Sequence, residues 1–259
     1  MSESALVDLQ DLILVAGHAL FREETQSVPD HPERDDGWYL QDFQEGEPPF
    51  YIEHIRRGVV LLANNPAALL VFSGGHTRPG LGRWSEALTY RKIAEHFDWW
   101  VPDIDWRKAV AAHTTEEECA RDSFENLLFG VCRFRLAVGR YPRNVTVVSW
   151  EFKRARFDFH RATLQWPSHR FHFDGFNQPL KPQWKNEATT LRDFIESPYG
   201  SRGPLAGKRI GRTDDPKDQK GRQEYGSLED VKGVFEFAGI EKPDSSVGPK
   251  EFKLKEDRS

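Results

Sequence analysis

The chain has 259 residues, of which 38% are apolar and 30% are charged, and its formal net charge is −5. This length and composition suit one large α/β domain with an appendage. A dedicated nucleic-acid-binding protein usually has a basic excess, so we expect no nucleic-acid partner. The two cysteines, Cys119 and Cys132, match neither a disulfide framework nor a zinc motif.

The chain contains no sign of a membrane segment or an export signal. No apolar run approaches the roughly 18–20 residues that cross a bilayer. The short acidic start, residues 1–11, lacks the cationic and apolar parts of a secretory signal. We therefore expect a soluble, cytoplasmic protein that does not bind membranes.

Repeated apolar runs that end in polar clusters are the main indication of the fold. Helical patterns separate these runs, so we expect parallel strands with helices on both faces of the sheet. Because the carboxyl ends of parallel strands open on one edge, the polar clusters should meet there. The runs are residues 11–17, 68–75, 109–115 and 144–149, and residues 169–173 could add a last strand.

Several helices are also predicted from periodicity and capping residues. The clearest begins near Asp122 and Ser123 and stops at Gly139, because an N-cap precedes it and a glycine follows it. A second helix should begin at Ser85-Glu86. The other predicted helices are residues 51–64, 154–165, 187–196 and 228–238.

Two long irregular regions complete the predicted organisation. Residues 21–49 are rich in charge, proline and aromatics, and we interpret them as a lid-like loop; the alternative is a surface excursion packed by its own aromatics. We assign residues 1–176 to the α/β domain and residues 177–259 to a polar, partly helical extension with a mobile charged tail.

The cluster after the second run is Ser73-Gly74-Gly75, followed by Thr77. Successive glycine amides at a strand end can hold an anion, although a plain turn is an equal alternative. The cluster is neither a dinucleotide-binding nor a phosphate-loop fingerprint. Glu86 could face the same edge and bind a hydroxyl or an amine, or serve only the first turn of its helix.

An acidic patch, Glu116 to Glu118, precedes the capping residues of the next helix. Glu118 and Asn126 can face the cleft if that helix starts at Ser123. An acid with amide and hydroxyl neighbours suits acid–base work or ribose-like recognition. Solvated surface charge is the alternative.

Cations follow the fourth strand, after Ser149. Lys153, Arg154 and Arg156 stand at a helix start, where the helix dipole disfavours positive charge. A bound anion would offset that charge, as would Glu118 or Glu151 in an internal network. His160 lies one turn beyond Arg156, and His18 follows Gly17 at the sheet edge; both are candidate proton carriers. The histidine spacing matches no zinc pattern, so we expect no metal.

The order of these motifs resembles the domain-of-unknown-function proteins typified by bacterial YdcF and SanA, in their eukaryotic, fungal-type cytosolic branch. The resemblance covers roughly residues 11–175. The matching stretches are LILVAGHAL, WYLQDFQEG, FSGGHTR, SEALTYRKIA, EECARDSFENLLFGVCRF and VTVVSWEFKRARFDFHRATLQWP.

The resemblance implies a Rossmann-like three-layer αβα domain that binds nucleotide-type ligands at the carboxyl edge of its sheet. S-adenosylmethionine or another adenine nucleotide is the cofactor candidate. The residues it would carry over are Gly17, His18, Ser73, Gly74, Gly75, Thr77, Glu86, Glu118, Ser123, Asn126, Ser149, Lys153, Arg154, Arg156 and His160.

Three functions remain open at this point. The first is an enzyme that transfers or hydrolyses a group on a small anionic, nucleotide-like ligand, with His18, Glu118 and His160 as catalytic candidates. The second is S-adenosylmethionine-dependent methyl transfer, although the usual glycine-rich turn after the first strand is absent. The third is a non-catalytic interaction module, in which the strand-end charges would pair with each other and leave no open cleft.

Overall fold

The computed structural model describes residues 6–22, 31–78, 84–180, 184–212, 221–222 and 224–225. Its sheet has five parallel strands in the order β3–β2–β1–β4–β5. The strands are β1 (Asp11–Ala16), β2 (Ala68–Ser73), β3 (Thr114–Glu117), β4 (Asn144–Ser149) and β5 (Phe171–Gly175). The helices are α1 (Pro48–Ala63), α2 (Glu86–His96), α3 (Ile104–Ala112), α4 (Ser123–Val138), α5 (Arg154–Thr163), α6 (Trp184–Glu196) and α7 (Gly203–Ile210).

The central strands are buried on both faces, which is why they read as continuous apolar runs. In β1, Leu12 and Leu14 pack in one core cluster with residues of α4 and α5. Ile13 and Val15 pack in a second cluster, with residues of α1 and α2. Helices therefore cover both faces, and the prediction of a Rossmann-like, three-layer α/β fold is confirmed.

The third apolar run, residues 109–115, was wrongly predicted as a strand. Its alanines form the last turn of α3, which Asp103 caps by accepting a hydrogen bond from the Trp106 amide (2.8 Å). The strand itself is Thr114–Glu117, at the edge of the sheet. An edge strand of threonine and glutamate has no apolar run, and alanine is the strongest helix former.

The remaining expected elements differ from the structure mainly at their ends. β1, β2 and β4 occupy the predicted runs, and α4 begins after the N-cap Asp122 and ends at Gly139, whose φ is 86°. The predicted last strand lies two residues later in the chain, at Phe171–Gly175. The predicted helix over residues 228–238 and the charged tail lie outside the described residues.

Chain segments outside the βα units also pack on this core. Phe194 of α6 and Leu205 of α7 are buried in the cluster that contains α4. The described part of the 21–49 loop folds back over the end of β1, where Trp38 packs against Phe21 and Tyr51. No helix in the described ranges has the length and apolar character needed to cross a membrane.

Candidate functional site

A cavity of about 310 Å³ opens at the carboxyl ends of β1 and β4. A second space of about 270 Å³ adjoins it and shares several walls, including His18, Thr77 and Glu86. The strand order reverses between β1 and β4, and α/β proteins bind ligands in the crevice at this position. The topology therefore places the cavity where the sequence predicts the site.

The sheet brings together about half of the predicted site residues. Those that line the cavity are Gly17, His18, Thr77, Glu86, Ser123, Asn126, Lys153 and Arg156. Those that do not line it are Ser73, Gly74, Gly75, Glu118, Ser149, Arg154 and His160.

The glycines after β1 and β2 do not present free amides to the cavity. The amides of Gly17, Gly74 and Gly75 donate to the carbonyls of Ser73 (2.7 Å), Glu117 (2.9 Å) and Ala120 (2.7 Å). In this arrangement they cannot hold an anion, in contrast to the anion-cradle expectation.

These glycines instead give room to Glu86. A Cβ added at Gly17 or Gly74 would lie 2.6 or 2.7 Å from the Glu86 Cβ, and Gly74 has a φ of 158°. Thr77 Oγ1 donates to Glu86 Oε1 at 2.6 Å. Burial raises the pKa of the Glu86 carboxyl, although Arg212, Thr77 and Lys153 act in the opposite direction. The result is a buried Glu86 whose carboxyl group is fixed in the cavity wall.

Ser73 and Asn126 belong to a buried network behind the cavity wall. Ser73 Oγ donates to Glu117 Oε2 (2.6 Å), and Asn126 Nδ2 donates to both the Ser73 carbonyl (3.1 Å) and Ser73 Oγ (2.9 Å). Glu117 Oε1 accepts from the Cys119 amide (2.6 Å). The network joins the ends of β2 and β3 to α4, so Ser73 has a structural role here.

Glu118 and Arg154 also have partners away from the cavity. Glu118 Oε2 accepts from Ser85 Oγ at 2.7 Å, and the same serine caps α2 through the Leu88 amide (2.9 Å). Arg154 is exposed and makes two 2.6 Å hydrogen bonds to Glu151. For Arg154, the arrangement is the internal ion pair that we considered as the alternative.

His160 is fully buried among aromatic rings. Its ring centroid lies 4.4 Å from that of Phe194, and its Nε2 lies 2.9 Å from Ser123 Oγ. Burial lowers the pKa of the imidazole to about 3, with a further contribution from Arg156. His160 therefore stays neutral near pH 7. Ser149 is likewise buried, behind the end of β4.

Five cations line the cavity. Arg121 is paired with Glu125. We call the other four the cationic rim: Lys153 just before α5, Arg156 in its first turn, Lys208 in α7 and Arg212 just after α7. Arg156 donates to Glu187 Oε2 at 2.6 Å, and Arg212 donates to the Arg121 carbonyl at 2.6 Å. Among the described residues, Lys153, Lys208 and Arg212 form no salt bridge.

The cations of this rim repel one another. Burial, and after it the charge of Arg156, lowers the pKa of Lys153 to about 7. Burial, together with Arg212 and Arg156, lowers the pKa of Lys208 to about 8. Repulsion between like charges in a cleft is relieved by an anion, so the rim favours a negatively charged ligand.

The other side of the cavity comes from the loop before α1. Gln41, Phe43, Gln44 and Glu47 line it, together with other aromatic rings. Gln44 Nε2 donates to the His18 carbonyl at 2.9 Å, which fixes the chain at the end of β1. These residues lie within the loop predicted as a lid, but none of them was among the predicted site residues.

His18 lies between this aromatic wall and the cationic rim. Its ring centroid lies 5.5 Å from that of Tyr51 and 5.4 Å from that of His54. Its Nδ1 lies 3.2 Å from Nζ of Lys153. Burial, and after it the charge of Lys153, holds the pKa of His18 well below its usual value, so the ring is neutral at pH 7.

Sequence reasoning missed the part of the site that follows residue 177. Asn186, Glu187 and Thr190 of α6 line the cavity, as do Lys208 and Arg212. Gly203–Ile210 is short and contains two glycines and a proline, so α7 was not predicted. The cluster Lys208-Arg209 was the only local signal.

Comparison with known proteins gives one distant relative and no function. An uncharacterized protein of Saccharomyces cerevisiae, YOR238W, is 24% identical in an alignment that covers 78% of this chain and 83% of the yeast protein. No known protein-family profile matches the chain, and no solved structure matches it. The chain is thus similar to this yeast protein over most of both lengths, and its function has to be argued from the cavity.

Proposed function

We propose that this chain is an enzyme that binds a small anionic, nucleotide-like ligand at the carboxyl edge of its sheet and transfers or hydrolyses a group on it. The observation that carries the proposal is the cationic rim around the 310 Å³ cavity. Lys153, Lys208 and Arg212 form no salt bridge among the described residues, so an anion in the cavity would pair with them. The resemblance to YdcF-like proteins and a cytoplasmic location are parts of the same proposal.

The opposite wall supports a ligand that is more than a simple anion. Phe43, Trp150 and Phe152 line the cavity beside the amides of Gln41 and Gln44. Aromatic faces next to amide groups suit a flat heterocycle that also forms hydrogen bonds. The combination of an aromatic wall and a cationic rim fits an adenine nucleotide best. S-adenosylmethionine is the second candidate, because it shares the adenine but offers the rim only its carboxylate.

The non-catalytic alternative is less consistent with the site. It requires Lys153 and Arg154 to be paired within the protein and the cleft to be closed. Arg154 is paired with Glu151, but Lys153 lines an open cavity and contacts the neutral His18. Polar groups that can exchange protons, such as Glu86, favour chemistry at this cavity.

Calorimetric titration of the full chain with phosphate, AMP, ATP and S-adenosylmethionine tests the proposal. We expect Lys208→Gln and Arg212→Gln each to weaken binding by about tenfold, which corresponds to roughly 1.4 kcal/mol for one lost charge contact. Arg154→Gln is the matched control, because it removes one positive charge near α5 but outside the cavity. A wild type that binds none of these four ligands, or equal losses in all three variants, would contradict the proposal.

A further inference from the structure

Lys153 differs from the other cations of the rim in its contacts. Its Nζ lies 3.2 Å from Nδ1 of His18, and it forms no salt bridge among the described residues. Arg156, by contrast, is paired with Glu187. The ammonium form of Lys153 therefore has a neutral ring as its hydrogen-bond acceptor where a carboxylate is usual.

The charged groups that act on Lys153 lie in α2, α5, α6 and α7. Arg156 and Lys208 destabilise its ammonium form, whereas Glu187 and Glu86 stabilise it. The nearby imidazoles, His18 and His54, are kept neutral by burial. Burial outweighs the two acids, and the pKa of Lys153 falls to about 7. A lysine that is desolvated beside another cation is a well-attested form of an activated amine.

The histidines of the site are poor proton carriers near neutral pH. Burial lowers the pKa of His54 to about 4 and that of His160 to about 3, and it holds His18 well below its usual value. A proton carrier works best when its pKa is close to the working pH. Lys208 has a pKa of about 8, but its side chain is exposed. Among the described residues it forms no hydrogen bond that would hold it in place.

We propose that the Lys153 amine, and not a histidine, carries the proton in the reaction of this cavity. The neutral amine takes the proton of an attacking water or hydroxyl, whose oxygen forms the new bond to the transferred group. The bond to the leaving group breaks with its electron pair on the leaving group, and the Lys153 ammonium returns the proton to it. The identity of the ligand in this step rests on the proposed function, whereas the first test uses no ligand.

Competitive acetylation of the native full chain from pH 5.5 to 10, read by peptide mass spectrometry, measures the titration of each lysine. We expect a midpoint of about 7 for Lys153. Lys108 is the internal control, because its side chain is 75% exposed and it lies on α3, away from the cavity. At pH 7 about half of Lys153 would be neutral, against about 0.04% of an ordinary lysine, so we expect more than about a hundredfold faster labelling after correction for accessibility.

A titration midpoint above pH 9 for Lys153 overturns the proposal. A midpoint near pH 7 at Lys208 and not at Lys153 overturns it as well. An amine that stays unlabelled at every pH in the folded protein also overturns it, because a proton carrier must be reachable from the cavity. Since the midpoint does not depend on how fast the site reacts, partial burial does not affect the comparison.

Calorimetry with sulfate, which does not titrate in this range, gives a second measurement. In buffers of different ionisation enthalpy at pH 8, sulfate binding should take up protons at Lys153 and, in part, at Lys208. Lys153→Met should lower the uptake by close to one proton per sulfate, while Arg154→Gln keeps it. Unchanged uptake in Lys153→Met contradicts the inference. If neither sulfate nor any ligand of the first titration binds but Lys153 titrates near pH 7, the proposed function fails, whereas the neutral Lys153 amine remains available for another reaction of this cavity.

Discussion

The buried ion pair between Asp122 and Arg209 fastens α7, and with it half of the cationic rim, to the start of α4. Arg209 Nε lies 2.6 Å from Asp122 Oδ2, and the two side chains are 4% and 6% exposed. Asp122 also caps α4 by accepting hydrogen bonds from the amides of Phe124 (3.1 Å) and Glu125 (3.0 Å). One carboxylate therefore serves both the helix cap and the ion pair.

Asp122→Asn separates these two roles. Asparagine is as good an N-cap as aspartate, so the substitution removes the charge and leaves the cap. Breaking a buried ion pair on one side costs about 3–5 kcal/mol. Glu125 Oε1 remains 3.5 Å from Arg209, so we expect the lower end, about 3 kcal/mol. Arg209→Met together with Asp122→Asn leaves no unpaired charge and should cost less than the sum of the single changes, by about 2 kcal/mol.

Urea denaturation gives the free energies of unfolding for the double-mutant cycle. The exposed pair Glu151 and Arg154 is the matched control, and its coupling should be below about 1 kcal/mol. Because α7 carries Lys208, Arg209→Met should also weaken sulfate binding. A cost below about 1 kcal/mol for Asp122→Asn, or single costs that simply add, would refute the idea that this pair holds α7.

The pH dependence of the same cycle follows from the direction in which folding shifts the pKa of Asp122. Burial acts to raise the pKa of Asp122, but Arg209, with the Glu125 amide, holds it well below its usual range. The stabilisation is therefore complete above about pH 4 and is lost as the pH falls toward the native pKa. The stability difference between wild type and Asp122→Asn should shrink over that acid range, and a difference that stays constant contradicts the assignment.

Three further changes test other parts of the structure. Gly74→Ala should lower the free energy of unfolding by about 1–3 kcal/mol in urea denaturation, because its Cβ would lie 2.7 Å from the Glu86 Cβ. Ser85→Ala should cost about 1 kcal/mol in the same assay through loss of the α2 cap, while calorimetric anion binding stays unchanged. His54 and His160 have native pKa values below their unfolded ones, so stability is complete above about pH 6.5 and should fall by about 2 kcal/mol per histidine at pH 5.

Each of these has an outcome that would contradict it. A Gly74→Ala protein as stable as wild type would mean that Glu86 is not packed against this glycine. Loss of anion binding in Ser85→Ala would give Ser85 a role beyond the cap. A fall in urea stability from pH 7 to pH 5 that is the same in wild type and in His160→Phe would mean that folding does not lower the pKa of His160.

The central part of the fold could be predicted from the sequence because its signals are local. β1, β2 and β4 are mostly apolar, since both of their faces are covered by helices. The sequence of the edge strand β3, TTEE, is one that any exposed segment could have. The apolar alanines before it were therefore mistaken for the strand. The N-cap Asp122 and Gly139 similarly marked α4 without tertiary information.

The general place of the site also follows from the sequence, because parallel strands must end on one edge. Which side chains reach the cavity was decided by contacts between residues far apart in the chain. Gly17 and Gly74 make room for a neighbouring side chain, Glu86, and a sequence cannot distinguish such a neighbour from a ligand. Lys208 and Arg212 reach the rim because Arg209 pairs with Asp122, 87 residues away. Only packing sets such long-range distances, and they in turn set the charge of the cavity and the protonation of Lys153.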